Sequence, residues 1–192
     1  MCDFEVAFHH AVRDVFPETI IKCCFFHFAQ SVWSHIQKAG LQQQYADDGM
    51  FALHLRKLIS MAFVPLEDIP VAYNTLMNSE FYDINKELLN PLLDYYEGTW
   101  MGEVNRRGVR RLHRFDYLLW NHYDSVKNFE PRTNNACEGW HNAFSVRAQA
   151  SHVSIWKLIN LLKAEQGTTE LKIHQQEAGR ECPKKKEEVC GL

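Results

Sequence analysis

Apolar positions recur at helical spacing along most of this chain, and that pattern predicts its elements. Phe4, Ala7, Phe8, Ala11, Val12 and Val15 stand at i, i+3, i+4, i+7, i+8 and i+11, the spacing of one helix face. Asp3 precedes the run as an N-cap able to accept a free backbone N–H, and Pro17 ends it. Residues 19–24 form a short β-branched run that predicts a strand. It feeds a second helix over about 26–38, carrying Phe28, Val32, Trp33 and Ile36 and stopping at Gly40. Helix, strand and helix in succession make a fragment of an α/β layer.

The middle of the chain has a different texture. Leu53, Leu55, Leu58, Ile59 and Met61, then Val71, Tyr73 and Leu76, then Leu88, Leu89, Leu92 and Tyr96 keep helical spacing, punctuated by Pro65, Pro70 and Pro91. No strand signal of comparable quality interrupts them, so the block is all-helical. Residues 99–131 read as a long connection. Ile155, Leu158, Ile159 and Leu162 define a late helix running to about Gln176, and residues 178–192 are a polar, charged tail expected to be disordered. The chain therefore divides into 1–45, 46–131, 132–177 and 178–192. Its class is predominantly α, with an α+β remnant at the start.

Composition narrows the partners. The 192 residues are 46% hydrophobic and 12% aromatic, enough for a packed core. A net charge of −3 gives no global case for nucleic acid, so any such binding needs a local patch. One exists in the connection: Arg106, Arg107, Arg110, Arg111 and Arg114 flank Gly108, suiting a loop that grips phosphate. Phe115, Tyr117, Trp120 and Tyr123 follow it, either to stack on bases or to fill a core. The six cysteines are irregularly spaced, as in proteins that keep their thiols reduced. No apolar run is long enough to span a membrane.

Two stretches carry candidate chemistry. From Arg132 the chain reads Arg-Thr-Asn-Asn-Ala-Cys-Glu-Gly-Trp-His-Asn-Ala-Phe. Cys137, Trp140, Phe144 and Ala148 mark an apolar helix face, and Glu138 and His141 share the polar edge beside it. Glu138 suits a metal ligand or an acid/base, and equally a solvated carboxylate favoured by the helix dipole. Cys24-Phe-Phe-His27 is a C-x₂-H pair that can give zinc two ligands, with His141 among the candidates to complete the set. Asp3 and Glu138, distant in sequence and both at predicted helix starts, are the carboxylates a two-metal phosphoryl-transfer site would use.

Six motifs appear in order: Asp3-Phe-Glu-x-Ala, Cys24-Phe-Phe-His27-Phe-x-Gln30, Ala62-Phe-Val-Pro65, Tyr96-Glu-Gly-Thr-Trp-Met-Gly102, Trp120-Asn-His-Tyr123 and Arg132-Thr-Asn-Asn-x-x-Glu138-Gly-Trp-His141. Over residues 2–165 this set resembles the catalytic domain of Mutator-like element (MULE) transposases, of the animal type found beside FLYWCH zinc fingers. The resemblance implies a ribonuclease H-like core interrupted by an all-helical insertion. It also implies an Asp-Asp-Glu triad holding Mg²⁺ or Mn²⁺, with Asp3 as the second Asp and Glu138 as the Glu. The first Asp of the family belongs to an earlier strand without a counterpart in these 192 residues, so the chain by itself is expected to be catalytically incomplete. The implied partners are element-end and target DNA and a second copy of the chain. Arg106, Arg107, Arg110, Arg111, Arg114, Arg132, Asn134 and Asn135 would contact the nucleic acid. Such a chain works in the nucleus, whereas an inert remnant stays in the cytoplasm. A non-catalytic DNA- or protein-binding module and a small zinc-stabilised helical domain are the alternative readings.

Overall fold

A computed structural model describes residues 1–102, 113–149 and 152–180, and it is predominantly helical. It divides into two compact units, Met1–Asn135 and Ala136–Leu192. No helix among the described residues is long and apolar enough to cross a membrane.

The first unit is built around α2 (Phe25–Lys38), whose Phe28, Val32 and Ile36 lie at i, i+4 and i+8 and are all fully buried. Its end is set by Gly40, which adopts φ 74°, a backbone conformation that strains residues with a Cβ. Gly40 N–H donates to the Gln37 carbonyl at 3.0 Å and Leu41 N–H to the Ile36 carbonyl at 3.1 Å. That Schellman pairing satisfies two terminal carbonyls and brings buried Leu41 against Ile36. The helical block follows: α3 (Gln42–Asp47), α4 (Gly49–Ser60), α5 (Ile69–Met77), α6 (Glu80–Ile84) and α7 (Lys86–Tyr96). Asp48 caps α4 by accepting Met50 N–H at 2.8 Å and Phe51 N–H at 3.0 Å.

These helices share one core with α2, so residues 1–45 and the helical block fold as one body. Phe51, Leu55, Leu58, Leu89, Leu92 and Tyr96 are buried, whereas Leu53 and Leu88 from the predicted faces are exposed. The centre is aromatic. Phe28 stacks on Trp120 with centroids 5.1 Å apart, and Trp100 meets Phe28 edge-on at 4.8 Å. Tyr96 and Tyr82 are buried with their hydroxyls donating to the Leu58 and His54 carbonyls, both at 2.8 Å.

Three expectations change here. Residues 19–24 do not form a strand: among the described residues the only strand pairing is an isolated parallel bridge between Cys2 and Cys23. A strand needs a ladder of partners, and Ile20 at the start of this run is 83% exposed. Next, Asp3 does not cap the first helix. The helix α1 (Val6–Val15) takes Glu5 at its N-cap position, with no side-chain cap. Its predicted apolar face is also left largely open: Phe8 and Val15 are exposed, and the one buried residue of α1 is His9. Phe4 precedes the helix and packs on Trp100 and Phe115 instead, at 4.9 and 5.0 Å.

The predicted connection is partly ordered. α7 widens into a π-helical turn, Glu97–Met101, closed by Gly102 N–H on the Glu97 carbonyl at 2.7 Å with Gly102 at φ 78°. Beyond it lie α8 (Tyr117–Trp120) and α9 (Tyr123–Lys127). Trp120 and Phe115 are buried core residues, which removes them as base-stacking platforms. Arg106, Arg107, Arg110 and Arg111 lie outside the described residues.

In the second unit α10 (Asn135–Ala148) precedes α11 (Ile155–Glu177), which Ser154 caps by accepting Lys157 N–H at 3.3 Å. Arg147 and Glu165 form an ion pair. The predicted face of α10 is mostly solvent-facing: Ala148 is buried, but Cys137 and Trp140 are exposed, with Trp140 stacked on Phe144 at 5.1 Å. Residues 181–192 of the predicted tail lie outside the described residues.

Candidate metal and nucleic-acid site

The site forms where the start of the chain meets the segment that follows α9. Asp3 stands directly after bridge residue Cys2, so the bridge fixes its backbone while its carboxylate reaches solvent. His27, in the first turn of α2, approaches with Nδ1 2.9 Å from Asp3 Oδ1. Phe25 N–H at the head of α2 donates to the Arg132 carbonyl at 2.9 Å, pinning the Arg-Thr-Asn-Asn segment beside it. Asn134 then donates its Nδ2 to Asp3 Oδ1 at 3.1 Å across 131 positions of sequence. The other end of that carboxamide, Oδ1, is buried and without a hydrogen-bond partner among the described residues. Leaving a buried acceptor unpaired costs about 1–3 kcal/mol.

Asp3 opens onto a cavity of about 670 Å³ that also takes in Glu5, His27, Ser31, His35, Tyr95, Thr99 and Arg114. Its polar wall is organised by α2 and the end of α7. Ser31 Oγ and Tyr95 Oη are 2.6 Å apart, and Trp100 Nε1 donates to Tyr95 Oη at 3.1 Å. The His35 ring lies flat on Tyr95 at 3.3 Å, and its Nδ1 donates to the Ser31 carbonyl at 2.9 Å. Burial raises the Tyr95 pKa, with Ser31, Trp100 and Arg114 opposing the rise, so the phenol stays protonated at neutral pH. The π-helical turn brings Thr99 to the cavity while Tyr96 remains in the core. Arg114 contributes a fixed cation to the cavity lining.

Within this unit the Asp3 carboxylate and the His27 imidazole come together as an oxygen and a nitrogen donor, a mixed pair suited to Mn²⁺ as well as Mg²⁺, and the carboxamide of Asn134, whose Nδ2 meets Asp3, carries a further hard oxygen. Of the other predicted residues, Arg132 contributes backbone to the site and places its guanidinium 5.9 Å from the centre of the Phe63 ring. Asn135 is the exposed first residue of α10. Glu138, in the first turn of α10, and His141 belong to the second unit, where the His141 ring lies 5.3 Å from that of Trp140.

The C-x₂-H pair is not a shared ligand set in the first unit. Cys24 is buried at the N-cap position of α2, while His27 turns to Asp3. The first unit's cluster of sulfur and imidazole ligands is Cys2, His9 and Cys23. Adjacent residues in extended backbone point to opposite sides, so the choice between Cys23 and Cys24 turns on which of them pairs with Cys2. The cavity wall also escaped prediction, although a signal for it exists. His27, Ser31 and His35 stand at i, i+4 and i+8, a polar stripe along α2 one residue behind its buried face. No family model, no curated protein and no solved structure matches this chain.

Proposed function

We propose that this chain is a domain derived from a Mutator-like element transposase, with ribonuclease H-like ancestry, whose Asp3 site and adjoining cavity bind divalent metal and DNA. The observation that carries this reading is the convergence, within the first unit, of five dispersed motifs and the Arg132–Asn135 head of the sixth. His27 and Asn134 meet at the Asp3 carboxylate. Trp100 and Trp120 pack on Phe4 and Phe28, the neighbours of Asp3 and His27 in sequence. Asn121 Nδ2 donates to the Val64 carbonyl at 2.7 Å, joining the Trp-Asn-His-Tyr and Ala-Phe-Val-Pro motifs. Ribonuclease H-like ancestry draws support from the Cys2–Cys23 bridge. Parallel pairing across an intervening helix is the β-α-β arrangement at its shortest, and Asp3 stands at its edge.

In this reading Asp3, Asn134 and His27 hold the metal, and Arg114 in the cavity lining takes a backbone phosphate. A divalent ion bound there supplies Lewis-acid activation to phosphodiester chemistry. The resemblance gives Glu138 the part of a further metal-binding carboxylate. By the resemblance, Asp3 and Glu138 are two of the triad positions, and DNA binding at the Asp3 site is the property this reading expects first. The nucleus is where DNA of this kind is met.

A non-catalytic DNA-binding module is the second reading, and one contact favours it. His27 and Asn134 both approach the same Asp3 oxygen, as they would in a purely structural clasp. A Mn²⁺-dependent strand-transfer assay beside a salt titration of duplex binding separates the two. The transposase reading expects DNA affinity that falls with salt and rises with Mn²⁺, and any strand transfer to vanish in Glu138→Ala. Binding indifferent to Mn²⁺ supports the module, and no binding at low salt removes both.

A further inference from the structure

We propose that Cys2, His9 and Cys23 form a structural zinc site on the backbone side of Asp3. Three separate elements deliver the ligands. The parallel bridge sets Cys2 and Cys23 side by side, and α1 folds His9 onto them. Cys23 is fully buried, His9 is 3% exposed, and Cys2 is half-buried. The three ligand atoms lie within 4.8 Å of one another, with Cys23 Sγ 3.5 Å from His9 Nε2. Tetrahedral zinc with bonds of about 2.3 Å to sulfur and about 2.0 Å to nitrogen separates such a pair by roughly 3.5 Å. The Cys23–His9 pair therefore already has the spacing of a coordination shell, with Cys2 Sγ within 4.8 Å of both.

The burial pattern of α1 points the same way. An amphipathic helix that leaves Phe8 and Val15 in solvent buries a histidine instead. Without a metal, His9 Nε2 donates to the Asp3 carbonyl at 2.7 Å and the Cys23 thiol reaches the same oxygen at 3.6 Å. Zn²⁺ binding displaces one proton from each thiol, releasing both to solvent, and the His9 Nε2 lone pair becomes a ligand once its proton moves to Nδ1. The result, one divalent cation with two thiolates and a neutral imidazole, carries no net charge into the buried site. An oxygen completes the four-coordinate shell, and the Asp3 carbonyl already lies at the edge of the cluster. The site is independent of the DNA reading, because it uses the backbone of Asp3 and none of its carboxylate.

The probe is Co²⁺, titrated into the reduced full chain with Zn²⁺ as competitor. Thiolate-to-cobalt charge transfer and tetrahedral ligand-field bands should appear, saturate at one equivalent and disappear on addition of Zn²⁺. The charge-transfer band separates this site from the oxygen-rich one at Asp3. Cys2→Ser and His9→Gln should each abolish it while circular dichroism confirms retained helix. A chain with Cys137, Cys182 and Cys190 all changed to Ser should keep it. Absence of the band in the reduced wild-type chain, or its persistence in Cys2→Ser and His9→Gln, overturns the proposal. Should Cys23→Ser fail to fold, those two variants at the less central positions decide the matter.

Discussion

Replacing Asn134 by alanine distinguishes a metal-ready site from a structural clasp, because the two ends of its carboxamide pull in opposite directions. Removing Nδ2 forfeits the 3.1 Å hydrogen bond to Asp3, worth about 1 kcal/mol at a partly exposed carboxylate. Removing Oδ1 also removes a buried acceptor without a partner, a relief of about 1–3 kcal/mol. In chelator, Asn134→Ala should therefore match or slightly exceed the wild-type stability. Metal reverses the order. Mn²⁺ at a hundred times its dissociation constant stabilises the wild-type fold by about 2.7 kcal/mol, a rise in Tm of roughly 8–11 °C for a body of this size. The variant, short of one oxygen ligand, should lose most of that rise. Thermal melts with and without Mn²⁺ give both quantities. A loss of more than about 2 kcal/mol in chelator, or an undiminished Mn²⁺ shift in the variant, refutes the assignment of Oδ1 as a waiting ligand.

His122 supplies a pH test: it is fully buried, and burial first, then nearby Lys22, lowers its pKa to about 4. Because the unfolded chain takes the proton near pH 6.5, this contribution to stability is intact above 6.5 and is lost as pH falls toward 4. The total is on the order of 3 kcal/mol, and urea midpoints against pH should flatten over that window in His122→Phe. Trp100→Ala empties the aromatic junction of Phe4, Phe28, Phe115 and Trp120 and should cost about 3–5 kcal/mol by denaturant unfolding. Arg114→Ala should weaken duplex binding about equally for all sequences and reduce the slope of log K against log salt by about one; an unchanged slope would place phosphate contact elsewhere.

The parts of this fold legible from sequence are those governed by local periodicity. Phe28, Val32 and Ile36 announce the buried face of α2, and Gly40 its end, because helix faces and C-caps are written within a few residues of themselves. Residues 19–24 failed because strand propensity describes a willingness to pair, and this segment finds a single bridge. The α1 pattern misled for a related reason: periodicity shows which residues share a face, but burial depends on what packs against it, and here the fold selected His9. At the site, Asp3 and Arg132–Asn135 were marked by motif, whereas the contact of Asn134 with Asp3 is a property of the folded chain. Tyr95, Ser31 and His35 went unnoticed, since a polar stripe on a helix ordinarily faces solvent. The π-helical turn at Glu97–Met101 has no periodic signature of its own.

Binding of a labelled DNA duplex, followed by fluorescence anisotropy at low salt with and without Mn²⁺, in the wild-type chain and in Asp3→Asn, bears most directly on the account. Wild-type affinity should rise on addition of Mn²⁺, and Asp3→Asn should abolish that rise while retaining the salt-dependent, metal-free component carried by arginine. Equal Mn²⁺ enhancement in both chains, or none in the wild type, would contradict a metal-dependent DNA site at Asp3.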